Sequence, residues 1–260
     1  MGGDRNLRRH SAGARTQRTG FTLIELMIVV AVVAVVSSLA VPKLMSSRLT
    51  ANESAAISNL RAIASAQEQF RSSYAVDSDG DGGGEYGFLG EISGVAGLRE
   101  FAGGAAVVGA QLLTPSMLPF AFGNLQADAW GEGVVVRSGY CYKLYLPGPS
   151  VGGVVGAIGE DGGGVGGATP GNEPNAQNCE ILWCAYAWPS EAGKTGHRAF
   201  FVNQDGDMLQ FANFTDVYSG TSVPIPFDAA FSSTSPGNMN AKLGILGDVA
   251  NDGNAWKPLH

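Results

Sequence analysis

Gly20-Phe21-Thr22-Leu23-Ile24-Glu25-Leu26-Met27 decides how the rest of this chain is read. Upstream, residues 1–20 hold Arg5, Arg8, Arg9, Arg15 and Arg18 against Asp4, a net of +4. Downstream, Phe21 to Val41 gives 21 residues interrupted only by Thr22, Glu25, Ser37 and Ser38. A helix of that length reaches about 30 Å, the hydrocarbon thickness of a bilayer. One carboxylate, Glu25, sits inside it. A charge there costs about 2.5–3.5 kcal/mol even on lenient insertion scales, so a chain that keeps one has a use for it. The basic leader holds its end of the span in the cytoplasm and sends the remainder outward. An ordinary signal peptide, cut after Ser38-Leu39-Ala40, is the competing interpretation, but Glu25 weakens the apolar region such signals need.

The stretch resembles the processing site of type IV prepilins and of the pseudopilins of type II secretion. The resemblance implies that a membrane peptidase cuts after Gly20, that the new N-terminal Phe21 is N-methylated, and that Glu25 registers subunits by neutralising the methylated amine of a neighbour. It implies as partners a prepilin peptidase/methylase, copies of the chain and other pilin-like subunits, and an inner-membrane assembly platform. The destination is a single-pass inner-membrane protein with a periplasmic head, then a periplasmic or extracellular filament. Secretion pseudopilus and surface pilus remain alternatives, as does a membrane-tethered periplasmic binding module that never polymerises. The resemblance covers residues 1 to about 75.

The helical pattern continues past the span. Ile57, Leu60, Ile63, Ala64, Phe70 and Tyr74 recur at spacings of three and four, with Gln67 filling one slot. Residues 43–74 contain no Gly or Pro. One helix from Phe21 to Tyr74 follows, with a kink or loosened turn expected at Pro42, which lacks an N–H. The organisation is then a cleaved leader over 1–20, a membrane or filament-core helix over 21–41, its amphipathic continuation over 42–76, and an exported head over 77–260.

In the head, Gly133–Arg137, Tyr140–Leu146, Ile181–Trp188, Ala199–Asn203 and Asp207–Ala212 read as strands, rich in Val, Tyr, Trp and Phe. Gln204-Asp205-Gly206 is a hairpin turn. A helix laid on such a meander makes an α+β, pilin-like fold with an antiparallel sheet. Val95–Phe101 reads as a short helix, and the apolar stretches 103–113 and 115–125 fit no element well. Residues 147–178 hold 11 glycines and four prolines in 32 positions and read as a mobile excursion. Residues 213–260 carry scattered anchors, Phe214, Phe227, Phe231, Leu243 and Trp256, and are expected to wrap over the sheet.

Removing the leader takes the formal charge from −7 to −11, which disfavours direct nucleic-acid binding. Asp77-x-Asp79-x-Asp81-Gly82 matches the opening half of a calcium loop, with hard oxygen donors at alternate positions and a glycine at the sixth. The closing Glu at the twelfth is replaced by Phe88, with Glu85 at the ninth, so this is no EF-hand. No cofactor is required; calcium is the one the motif admits, against a solvated acidic turn. Major pseudopilins carry calcium in a C-terminal loop, so the resemblance does not extend to this site.

Export permits a disulfide among Cys141, Cys179 and Cys184. Cys141 and Cys184 would face each other if their strands pair suitably; Cys179 and Cys184 would need a turn between them. The alternative is three reduced thiols. Catalysis finds no pattern: His10, His197 and His260 have no nucleophile at a meaningful spacing. The glycines of 152–167 lack the Gly-Lys-Ser/Thr ending of a phosphate cradle. The chain is expected not to be an enzyme.

Overall fold

The computed structural model describes residues 20–214 and 217–259; the leader, residues 1–19, lies outside them. The chain divides into two compact units between Leu44 and Met45.

Helix α1, Leu23–Ser72, begins in the first unit and ends in the second. Its start is a capping box. The Thr22 hydroxyl accepts from the Glu25 amide at 3.3 Å, and the Glu25 carboxylate accepts the Thr22 N–H at 2.9 Å and hydroxyl at 2.7 Å. The helix runs through Pro42, whose missing N–H costs one ladder bond without ending the helix.

In the second unit the apolar stripe is covered as its spacing predicts. Ala56, Leu60, Ile63, Ala66 and Phe70 are buried, whereas Tyr74, beyond the last turn, is exposed. Gln67 sits in the stripe because its amide meets one residue twice, donating to the Gly87 carbonyl at 2.7 Å and accepting the Gly87 N–H at 3.1 Å. Gly87 must be small here: a Cβ would lie 2.6 Å from the Phe70 ring. Glu53, nearly buried, accepts from the amides of His197 and Arg198 and from Arg198 Nε at 2.7 Å, fixing the helix to the sheet.

The strands are β1 Gly97–Ala102, β2 Ala105–Leu112, β3 Leu125–Ala127, β4 Gly133–Arg137, β5 Tyr140–Val151, β6 Val154–Gly159, β7 Cys184–Pro189, β8 Arg198–Asn203, β9 Met208–Ala212 and β10 Lys257–Pro258. β1 and β2 form a separate hairpin. The others make one antiparallel sheet ordered β10-β9-β8-β7-β5-β4-β3, with β6 also paired to β5. Both faces are covered, which is why the strands look apolar throughout. Tyr140, Tyr142, Leu144, Ala185, Ala187, Phe200 and Val202 join Leu60, Ile63 and Phe70 in one core. Cys141, Tyr145, Tyr186, Trp188, Phe201 and Phe211 face the other way, against Ile225, Phe231 and Trp256 of the tail. The tail therefore wraps as expected, although Phe214 is exposed.

Three expectations need correcting. Val95–Phe101 is not a helix: the helical turn is α2, Leu89–Ile92, and Gly97 onward is the first strand of a hairpin. The deciding interaction is distant from the local pattern. Arg99 is buried and donates to Glu91 Oε1 at 3.0 Å and Glu85 Oε2 at 2.6 Å.

The excursion over 147–178 is built into the head. It completes β5, adds β6, and closes with α3, Ala176–Cys179. Its anchor is polar. Glu160 is fully buried and accepts the N–H groups of Leu89 at 3.2 Å, Gly90 at 2.6 Å and Gly167 at 2.9 Å. The glycines allow this approach: at Gly167, with φ +86°, a Cβ would lie 2.8 Å from Ala96 Cβ. Burial pushes the Glu160 carboxyl up to about 8 against the pull of these three donors.

The Cys141–Cys184 bridge is excluded by register. Cys141 lies opposite Trp188, and Cys184 opposite Tyr145. Four residues along a strand separate the pair by about 13 Å, against the roughly 7 Å limit between Cα atoms for a disulfide. The chain does turn after Cys179, but Cys179 and Cys184 belong to cores on opposite sides of the sheet. All three thiols are free and buried, and burial pushes those of Cys141 and Cys179 up to about 12.

Candidate functional site

Two arrangements concern function: the start of α1, and the acidic loop after it.

At the start, Gly20 has no neighbour within 4 Å of a Cβ position, and Phe21 is 90% exposed. Among the described residues nothing covers the peptide bond between them. From Phe21 to Met45 every residue is exposed, including Leu23, Ile24, Leu26, Val30, Val33, Val36 and Leu39. An α-helix satisfies its own backbone, so it is viable in lipid. An all-round apolar surface of this size requires lipid or other chains to cover it. By length and composition this helix can span a membrane, and none of its most apolar window is buried by the chain itself. Glu25 is the only carboxylate on this surface. Its Oε2 takes both bonds from Thr22. Among the described residues nothing bonds Oε1.

The acidic loop gathers what the sequence spaces out. Oxygens of Asp77, Asp79 and Asp81 lie within 4.8 Å of one another. The loop is shaped by its own Asx bonds. Asp77 accepts the N–H groups of Gly80 at 2.8 Å and Gly82 at 3.1 Å, Asp79 that of Asp81 at 3.3 Å, and Asp81 that of Gly83 at 2.7 Å. Desolvation, then the charges of Asp81, Glu85 and Asp77, push the Asp79 carboxyl above the usual range, although the Asp81 N–H opposes this. Oxygen donors of this kind suit a hard divalent cation.

Glu85, ninth in the calcium-loop count, is not part of this cluster. It turns inward, accepting the Ser78 N–H and hydroxyl at 2.5 Å each and pairing with Arg99. Glu180 is the residue that sequence spacing misses. It follows α3, a hundred positions away, and its carboxyl is raised by desolvation and by the charges of Asp81 and Asp79. A backbone contact far apart in sequence brings it near: the Cys179 carbonyl accepts the Tyr86 N–H at 2.8 Å. His197 is a loop residue whose amide bonds Glu53 and whose ring lies 5.6 Å from that of Phe214.

A family model described as the prokaryotic N-terminal methylation motif matches residues 15–41. No curated protein and no solved structure matched the chain. The matched segment holds Gly20, Phe21 and Glu25, and the motif implies a prepilin peptidase substrate. Motif and long apolar helix together fit a type IV pilin-like protein that carries a prepilin-type leader.

Proposed function

We propose that the chain is a structural subunit of a filament, either a type IV pilus-like fibre or a type II secretion pseudopilus. It enters the inner membrane through α1, is cut after Gly20, is methylated on Phe21, and polymerises through Phe21 to Val41. Its work is mechanical rather than catalytic. The observation that carries this reading is the surface of residues 21–45: apolar on every side, unburied, and interrupted by the single carboxylate of Glu25. A membrane accounts for the apolar surface but not for the carboxylate, which costs about 2.5–3.5 kcal/mol there. A methylated ammonium from a neighbouring subunit, accepted by the open oxygen of Glu25, offsets that cost. The assembly platform and other pilin-like subunits are the expected partners.

The test has two parts. Mass spectrometry of the N-terminal peptide should find Phe21 first, carrying one methyl group on its amine. Glu25→Ala should leave insertion and cleavage intact, since removing a charge favours the span. The variant should nevertheless be missing from filaments sheared off the cell, or fail to support secretion. A Glu25→Ala protein that enters filaments at the wild-type level refutes the registering role. A wild-type protein that is processed yet never recovered in filaments points instead to a tethered periplasmic module.

For the head, we propose that Asp77, Asp79 and Asp81 take calcium. The reading is supported by three converging carboxylates, with Glu180 adding like charge that a cation would relieve.

A further inference from the structure

Lys143 lies in the middle of β5, and its side chain is wholly buried. An ammonium taken out of water needs charged partners. Lys143 has two. Its Nζ is in contact with Oδ2 of Asp128, also wholly buried, and lies 2.6 Å from Oε2 of Glu132. Two rings close the remaining sides: the centroids of Trp130 and Tyr145 lie 4.6 Å and 5.0 Å from Nζ. Asp128 and Glu132 belong to the turn between β3 and β4, so the cluster joins that turn to β5 across the intervening strand β4.

This is more than an ion pair. The two oxygens of Asp128 have different surroundings. Oδ1 accepts two backbone N–H groups, from Trp130 at 2.8 Å and from Glu132 at 3.0 Å. Two fixed N–H donors on one oxygen are the arrangement that stabilises the oxyanion of a tetrahedral intermediate. Oδ2 is the oxygen free to leave, and it touches the nitrogen that would attack. Glu132 reaches that same nitrogen as a proton carrier. Its side chain is 33% exposed, so it also marks a way out for a small leaving group. The reacting pair itself is out of contact with bulk water, both side chains being wholly buried.

We propose that Lys143 Nζ and Asp128 Cγ condense into an intramolecular isopeptide bond. The first proton of the ammonium passes to Oδ2, giving an amine and a carboxylic acid. The amine lone pair attacks Cγ, the C–N bond forms, and the carbonyl electrons move onto Oδ1, held by the two N–H groups. Glu132 takes a second proton from the nitrogen and delivers it to Oδ2. The C–Oδ2 bond breaks, the carbonyl reforms, and water departs. The nitrogen keeps one hydrogen, the two charges cancel, and nothing is oxidised or reduced. The structure holds the pair before condensation. The product locks β5 to the β3–β4 turn at the edge of the head.

The experiment is intact-mass spectrometry of the full chain in detergent, followed by digestion. The wild type should be lighter by one water than its processed sequence requires, with Lys143 and Asp128 recovered in one branched peptide. Glu132→Gln keeps Lys143 and Asp128 and removes the proton carrier, so condensation should slow on the order of 100-fold or more. Lys143→Arg keeps the positive charge but should show no water loss. A folded wild type with the full mass overturns the proposal and leaves a buried ion pair. Water loss that persists in Lys143→Arg also overturns it, since a cyclised aspartate would then be its source. If Lys143→Arg does not fold, the branched peptide in the wild type decides alone. Condensation of Glu132→Gln at the wild-type rate removes Glu132 from the mechanism.

Discussion

The most apolar stretch of the chain and its most glycine-rich stretch behave opposite to their compositions. Residues 21–45 are almost wholly apolar and are exposed among the described residues. Residues 147–178, with few large apolar side chains, are built into the head through β5, β6 and α3. Apolarity says that a surface must be covered, not what covers it. Glycine says that a backbone can approach closely or take a positive φ, not that it is loose. In the first region nothing among the described residues does the covering. In the second, backbone N–H groups brought close around Glu160 do what side-chain burial does elsewhere.

The sharpest way to break this contrast is to remove the glycine-rich segment. Replacing 150–176 with a few Gly and Ser residues deletes β6 and Glu160 together. The N–H groups of Leu89 and Gly90 then lose their acceptor, at about 1–3 kcal/mol each, and Val155 and Ala168 leave the core. The head should lose its cooperative melt. A trimmed head that melts within a few degrees of the parent would restore the reading of 147–178 as a dispensable excursion.

The next test compares the two parts of α1. Phe70 is wholly buried under Tyr140-side core residues, whereas Val33 is exposed. Phe70→Ala should destabilise the head by about 3–5 kcal/mol. Val33→Ala should leave the head's melting temperature unchanged, its effect being confined to membrane or filament. Equal effects on melting would mean that the head also covers the first part of the helix.

Much of this contrast can be read from residue order, and the remainder cannot for identifiable reasons. The stripe from Ile57 to Phe70 is local, repeats at helical spacing, and is buried as that spacing implies. Strand β4 and the hairpin at Gln204-Asp205-Gly206 are likewise local; Val202 and Met208 pair across that turn. What escapes the sequence depends on register between distant strands. A one-residue change would have altered which side chain meets Cys141, and nothing near Cys141 announces Trp188 as its partner. Glu180 reaches the acidic loop, and Glu160 reaches α2, through contacts just as distant in sequence. Lys143 did leave a sign. A lysine inside Tyr-Cys-Tyr-Lys-Leu-Tyr-Leu, a strand apolar on both faces, has to find carboxylates. The sequence does not say that Asp128 and Glu132 supply them.

A smaller effect tests the polar anchor of the glycine-rich segment. The Glu160 carboxyl stands at about 8 in the folded chain against an ordinary 4.5. The folded state therefore binds this proton more tightly than the unfolded state. Its contribution is fully present below about 4.5 and is lost as pH rises through about 8. Between those values the head should become less stable as pH increases. Glu160→Gln, neutral at every pH, should flatten that slope in denaturant titrations at several pH values. An unchanged slope in the variant would assign the dependence to other groups, and Glu160 would be a carboxylate charged throughout.

The smallest effect concerns the acidic loop, where the proposed partner is a cation. A ligand that binds only the folded head stabilises it by RT ln(1 + [L]/Kd), about 1.4 kcal/mol when calcium is tenfold above Kd. For a head of this size that is a rise of a few degrees in melting temperature. The shift should appear in millimolar calcium and vanish in chelator. Asp79→Ala combined with Asp81→Ala should abolish it. Neutralising Glu180 with Glu180→Gln should raise melting in chelator, by relieving the crowded charges, and shrink the gain from calcium. Protons compete for the same oxygens, since the Asp79 and Glu180 carboxyls are already raised. The calcium shift should therefore fade as the buffer is acidified. A parent head that melts at the same temperature with calcium and with chelator would reduce Asp77, Asp79 and Asp81 to a turn that ends the region after α1, held by its own Asx bonds and solvated on its outer side.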